Sequence, residues 1–203
     1  MTTSIDEMLA PPTETAKRAL DVAQHWCTPA VVNHCLRSWV WARALGESLE
    51  LDIDLELLFV ATMLHDTGVS APFDSHTEPF ERSGGAAGWT FATGAGWPRA
   101  QAERVSQIIE RHMWTSVDVE DDPESYLLEA ATSLDVSYAE PERWDAALLE
   151  SVTLRIPRLG FASEFAAAIH EQASRKPKSN AARLDRSRRI GAGAAGWAAL
   201  AAS

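Results

Sequence analysis

Positive charge is scarce in this 203-residue chain: 18 Lys and Arg stand against 29 Asp and Glu, a formal net charge of −11. That balance argues against a nucleic-acid backbone or an anionic membrane surface as the main partner. Cysteine is scarcer still. Cys27 and Cys35 are the only two; they make no disulfide framework, and a reduced, cytoplasmic setting is the simpler expectation. No run is long and apolar enough to span a bilayer. Met1 to Pro12 lacks a basic segment followed by an apolar one, so no signal peptide is expected. Alternating stretches rich in Val, Ile and Thr are also missing, which argues against a sheet-built domain. What the chain does have is 46% hydrophobic residues and eight Trp, enough for one domain with a sizeable core.

The remaining pattern is helix after helix, and the expectation is an all-α bundle of seven to eight. Residues 1–12 read as a flexible arm ended by Pro11-Pro12. Thr13 is placed to cap a first helix running to Trp26. Thr28-Pro29 opens a second, which reaches about Leu49. Asp54 caps a third, Pro79 opens a fourth over Gly84-Gly85-Ala86-Ala87-Gly88, Pro98 a fifth and Pro123 a sixth. Arg143 to Leu154 and Ser163 to Ala173 supply the last two. The small residues of the fourth helix cost helix stability, and close approach of another helix or a ligand is the expected gain. Thr67 to Pro79 is too long for a tight turn and reads as a lid beside a site. The domain is expected over 13–177, with 178–203 as a tail that is partly helical or mobile. Docking of that Ala-rich tail on a second copy of the chain is compatible with the sequence.

Four polar residues lie in otherwise apolar helical segments: His34, His65, Asp66 and Asp135. A buried Asp is costly unless paired or bound to a cation. Two His and two Asp together suggest one divalent cation satisfying all four, and this N/O donor set suits Zn²⁺ first and Fe²⁺ second. Gly68, two residues after Asp66, is expected to end its helix in the left-handed region.

The order His34, then His65-Asp66, then Asp135, resembles the HD superfamily of metal-dependent hydrolases. Asn33-His34-Cys35-Leu36-Arg37-Ser38-Trp39, Leu64-His65-Asp66-Thr67-Gly68, Phe80-Glu81-Arg82-Ser83-Gly84 and Ile108-Ile109-Glu110-Arg111-His112 are similar to segments of its cyanamide-hydratase-like branch. So are Ile156-Pro157-Arg158-Leu159-Gly160-Phe161 and Lys176-Pro177. The resemblance covers roughly residues 25–177. It implies a single HD-domain bundle with the metal among His34, His65, Asp66 and Asp135. The activity it implies is hydration of a small nitrile-type group by metal-activated water, as in cyanamide to urea. Asp66 then serves at the reacting centre as well as on the metal.

His112 is either the proton donor or positioner for that reaction, or a helix-face histidine bonded to a backbone carbonyl. Glu81 is either a proton relay or a solvent-facing first-turn residue. Arg37 shares the face of His34 and either pairs with an Asp or Glu or reaches the pocket. Trp41, Thr67, His76 and Trp114 are the other pocket candidates. Three further functions compete. An HD phosphohydrolase acting on a nucleotide wants converging Lys or Arg, and the ligand-bearing helices offer mainly Arg37, Arg82 and Arg111. A dinuclear-iron oxygenase needs extra His between the HD pair and the last Asp, where only His76 and His112 stand. A non-catalytic helical binding module would have a closed metal site or none.

Overall fold

The structure, a computed structural model, describes residues 4–202. Eleven α-helices and no strand occur among them. They are α1 (Ile5–Leu9), α2 (Glu14–Trp26), α3 (Pro29–Ser48), α4 (Leu55–Leu64), α5 (Phe80–Gly94) and α6 (Arg99–Arg111), followed by α7 (Pro123–Ser137), α8 (Ala146–Arg155), α9 (Phe161–Arg175), α10 (Asn180–Ser187) and α11 (Arg189–Leu200). The starts follow local chemistry. The side chains of Thr13, Thr28, Asp54 and Asp122 each accept a backbone N–H in the first turn of α2, α3, α4 and α7, which removes one orphaned donor per helix.

α4 is the centre of the bundle. Every residue from Leu57 to Leu64 is buried, as expected of a short helix that is apolar all round. It packs against α2, α3 and α6, and its Phe59 and Met63 are fully enclosed together with Trp39, Ile108 and Leu127. Two glycines let α5 close on the turn that follows α4. Gly68 is not left-handed; it lies in a 3-10 turn over Thr67–Val69, where a Cβ would stand 2.0 Å from the carbonyl oxygen of Phe80. A Cβ at Gly84 would stand 2.7 Å from the carbonyl oxygen of His65. The small-residue face of α5 therefore serves close packing. Gly68→Ala is expected to cost about 3 kcal/mol or more by overpacking against main chain, a fall in Tm of roughly 6–12 °C. Gly94→Ala, with nothing within 4 Å of the added carbon, is expected to be tolerated. Thermal unfolding of both variants checks the contrast.

The two ends of the chain are more structured than their sequence suggests. The segment expected as a loose arm carries α1, with a capping box between Ser4 and Glu7. Trp39 donates its indole N–H to the carbonyl of Met8, at 2.6 Å, and so ties α1 to α3. In the tail, α10 and α11 bury Ala181, Ala182, Ile190 and Trp197. Residues 1–3 of the arm and Ser203 of the tail lie outside the described residues. The loop over 67–79 is pinned to α9, because Asp74 accepts from Gln172 and Arg175. Among the described residues no helix is long and apolar enough to cross a membrane.

Asp122 does more than cap α7. It also receives Arg104 and Arg111. Burial pushes its carboxyl up, but the hydrogen bonds from Arg104, Ser125 and Arg111 outweigh this and hold it at about 2, against an ordinary 3.8. A depressed folded pKa stabilises above the unfolded value and is lost as pH falls through the folded one. The stability difference between the wild type and Asp122→Asn is therefore expected to be largest above pH 4 and to shrink toward pH 2. Urea unfolding across that range measures it.

Candidate metal centre

α3 brings His34, the turn after α4 brings His65 and Asp66, and the C-terminal end of α6 brings His112 to one buried point. Hydrogen bonds settle the tautomers. His65 Nδ1–H donates to the Thr62 carbonyl at 2.7 Å, because a carbonyl can only accept. His34 Nδ1–H donates to Asp135 Oδ2 at 2.6 Å. Both imidazoles, when neutral, thus present a bare Nε2. These two nitrogens face each other at 3.1 Å, and Asp66 Oδ2 is 3.4 Å from each.

Three acceptors converge with no hydrogen bond between the carboxylate and any donor: both oxygens of Asp66 are buried and lack a hydrogen-bond partner among the described residues. Lone pairs at such separations repel unless something positive lies among them. Tetrahedral ligands about 2.0–2.1 Å from a Zn²⁺ stand about 3.3 Å apart, close to the spacings seen here. His34, His65 and Asp66 therefore fit a divalent cation, as a set of donors within 4.8 Å of one another. Burial pushes the Asp66 carboxyl up, yet the charges of His65 first and then His34 and His112 hold it well below the usual range. Burial lowers His34. In His65 the Asp66 charge overcomes burial and raises it.

His112 completes the cluster from the side. Its Nδ1–H donates to the Ile109 carbonyl, and its Nε2 lies 3.9 Å from Asp66 Oδ1. Burial holds its pKa at about 3, so the ring is neutral at physiological pH with a bare Nε2. It thus bonds a backbone carbonyl and also faces the site. A neutral ring of this tautomer accepts a proton before it can give one.

Asp135 is arranged differently from a fourth ligand. Besides His34 it takes Arg37 in a two-pronged pair, Nε–Oδ1 at 2.9 Å and Nη2–Oδ2 at 2.8 Å. Arg158 reaches Oδ1 at 2.5 Å and the Asp135 carbonyl at 2.8 Å, and Trp197 of α11 donates to that carbonyl at 3.0 Å. Burial pushes this carboxyl up, but Arg37, then Arg158 and His34, hold it well below the usual range. Its acceptor capacity is spent on holding His34, a carboxylate–histidine support of the kind that orients metal ligands.

A cavity of about 440 Å³ opens onto the cluster, lined by His34, His65, Asp66 and His112 and, further out, by α7, α9, α10 and α11. Of the pocket residues expected from sequence, Trp114 lines it. Arg37 is fully buried in its pair with Asp135, and Trp41 is buried against Trp197. Thr67 is buried and donates to the Leu64 carbonyl. His76 is exposed in the loop, so of the two extra histidines considered for a dinuclear-iron site only His112 stands at the cluster. Glu81 is neither solvent-facing nor a lining residue: it is 3% exposed, its Oε1 accepts from Asn180 at 2.9 Å, and burial raises its pKa. It anchors α10 to α5. The lining residues that sequence reasoning missed, Glu129, Ser133, Arg183 and Arg189, come from the outer half of α7 and from the tail.

The HD-domain family model matches residues 31–136, just over half the chain. This protein belongs to the HD domain family. Among curated proteins it is similar to cyanamide hydratase DDI2 and cyanamide hydratase DDI3 of Saccharomyces cerevisiae. With each it is 28% identical over 171 residues, covering 82% of this chain and 76% of the relative.

Proposed function

We propose that this chain is a metal-dependent hydratase that adds water across a small nitrile-type group, with cyanamide, N≡C–NH₂, going to urea as the simplest case. The similarity to two cyanamide hydratases along most of both chains carries the reading, and the convergence of bare acceptors supports it. His34, His65 and Asp66 would hold the cation, Zn²⁺ by preference and Fe²⁺ as the alternative. When bound, such a cation lowers the pKa of water and polarises the substrate.

The chain's own residues supply the rest. Arg37 and Arg158 neutralise Asp135, and Asp135 keeps the His34 proton on Nδ1 so that Nε2 points into the site. Phe161 stacks on the His34 ring at 4.4 Å and helps exclude water from that side. His112 Nε2 accepts a proton from the attacking water as its oxygen bonds to the nitrile carbon. The same nitrogen then returns the proton to the former nitrile nitrogen. The isourea so formed becomes urea by a proton shift from oxygen to nitrogen.

Arg183 and Arg189 favour a second reading, phosphoester hydrolysis, since both line the cavity. Glu129 lines it as well, and a carboxylate beside a phosphate dianion is unfavourable. The test uses purified protein before and after chelation, with Zn²⁺ or Fe²⁺ added back. Urea formation from cyanamide should disappear on chelation and return on add-back. A chelated protein as active as the loaded one, or phosphate release from a nucleotide with no urea, would overturn the proposal.

A further inference from the structure

The cavity is large for the simplest substrate. Cyanamide has three heavy atoms, on the order of 100 Å³ at about 30 Å³ per water-sized group. The cavity of about 440 Å³ falls in the range of sites that enclose molecules several times larger, about 300–1,000 Å³. Its outer part is charged in a particular way. Glu129 and Arg189 both line it, and neither side chain forms an ion pair among the described residues. The Glu129 carboxylate takes a single hydrogen bond, from the Ser133 hydroxyl at 2.8 Å. The Arg189 guanidinium donates none among the described residues, and its backbone N–H donates to the Ser187 hydroxyl. Through space the Glu129 carboxylate senses Arg143 first and Arg189 less, and it pairs directly with neither.

We propose, resting on the hydratase reading, that the substrate is an amino-acid-sized nitrile with a zwitterionic head, its ammonium group against Glu129 and Ser133 and its carboxylate against Arg189. A separated carboxylate and guanidinium are complementary to an α-amino acid head in charge. Thr132, Val136 and Phe165, which also line the cavity, suit a short methylene chain. A phosphate dianion would satisfy Arg189 and be repelled by Glu129. A headless nitrile would leave both charges unused.

The experiment compares 2-amino-5-cyanopentanoic acid with pentanenitrile on the metal-loaded full chain, reading kcat/KM for hydration. Calorimetry of both compounds on the chelated full chain reads binding alone. The zwitterion should be preferred at least tenfold in each measurement. Glu129→Gln and Arg189→Gln should each reduce that preference by about tenfold, the typical worth of a charge-assisted hydrogen bond in a partly open site. Equal handling of the two compounds, or variants that keep the preference, would overturn the proposal while hydration of both leaves the hydratase reading standing. Binding that depends on Glu129 and Arg189 without hydration of any nitrile would overturn the hydratase reading and keep the head-group site.

Discussion

Protein with Asp66 replaced by alanine, purified without added metal, is expected to carry close to none, and to lose the proposed hydratase activity with it. The reason is the composition of the cluster. His34 and His65 each offer one bare nitrogen, and neutral imidazoles do not by themselves compensate a divalent charge. Among the described residues Asp66 is the only buried carboxylate with both oxygens lacking a hydrogen-bond partner, so it supplies the anionic part of the donor set. Removing it leaves two nitrogens 3.1 Å apart with nothing to hold a cation against water. Elemental analysis of wild type and variant in parallel is the measurement. His65→Ala should behave alike. A variant that retains a full equivalent of metal would place the site elsewhere. Wild-type Tm should also rise with added Zn²⁺, as expected for a ligand that binds only the folded state, and the Tm of the Asp66 variant should stay flat.

Arg37→Met is expected to be the most damaging single change to stability away from the cation, at about 3–5 kcal/mol. The guanidinium is completely buried and donates twice to Asp135 and also to the carbonyls of Ile156 and Pro157. Without it, Asp135 keeps Arg158 and His34 but loses the partner that lowers its pKa most. Breaking one side of such a pair costs far more than replacing both sides, because the surviving charge stays buried. Arg37→Met combined with Asp135→Leu should therefore recover part of the loss. Urea denaturation of the three proteins decides the matter. A single-variant loss below about 1 kcal/mol would mean that the pair is solvated.

Helix starts were readable because their signals are local: a Thr or Asp side chain and a Pro act within one turn. The convergence of His34 with His65 and Asp66 was also readable, since each breaks an apolar face. Of the two readings of Arg37 on the face of His34, the structure shows the pairing with an acid, Asp135. The partnership of Asp135 was not readable. Its neutralising Arg158 sits in a loop 23 residues later, and nothing in Pro157-Arg158-Leu159 marks a side chain that will be drawn inward. α11 was legible only as part of a tail expected to be partly helical or mobile, for another reason. Gly191-Ala192-Gly193-Ala194-Ala195-Gly196 has no polar–apolar period, and the helix is held by Ile190 and Trp197 and by a Gly193 packed against the backbone of Val136 and Ser137. The outer wall of the cavity was missed with it, because Arg183 and Arg189 belong to that same tail.

The hydrogen bond from Trp197 to the Asp135 carbonyl has a practical corollary for anyone cutting this molecule down. A fragment trimmed to the family boundary at 136 would contain every histidine and carboxylate that marks the superfamily. It would lack Arg158, Phe161 and the indole that steady the strut behind His34. Such a fragment would carry the signature of the site without the scaffold that keeps it in register.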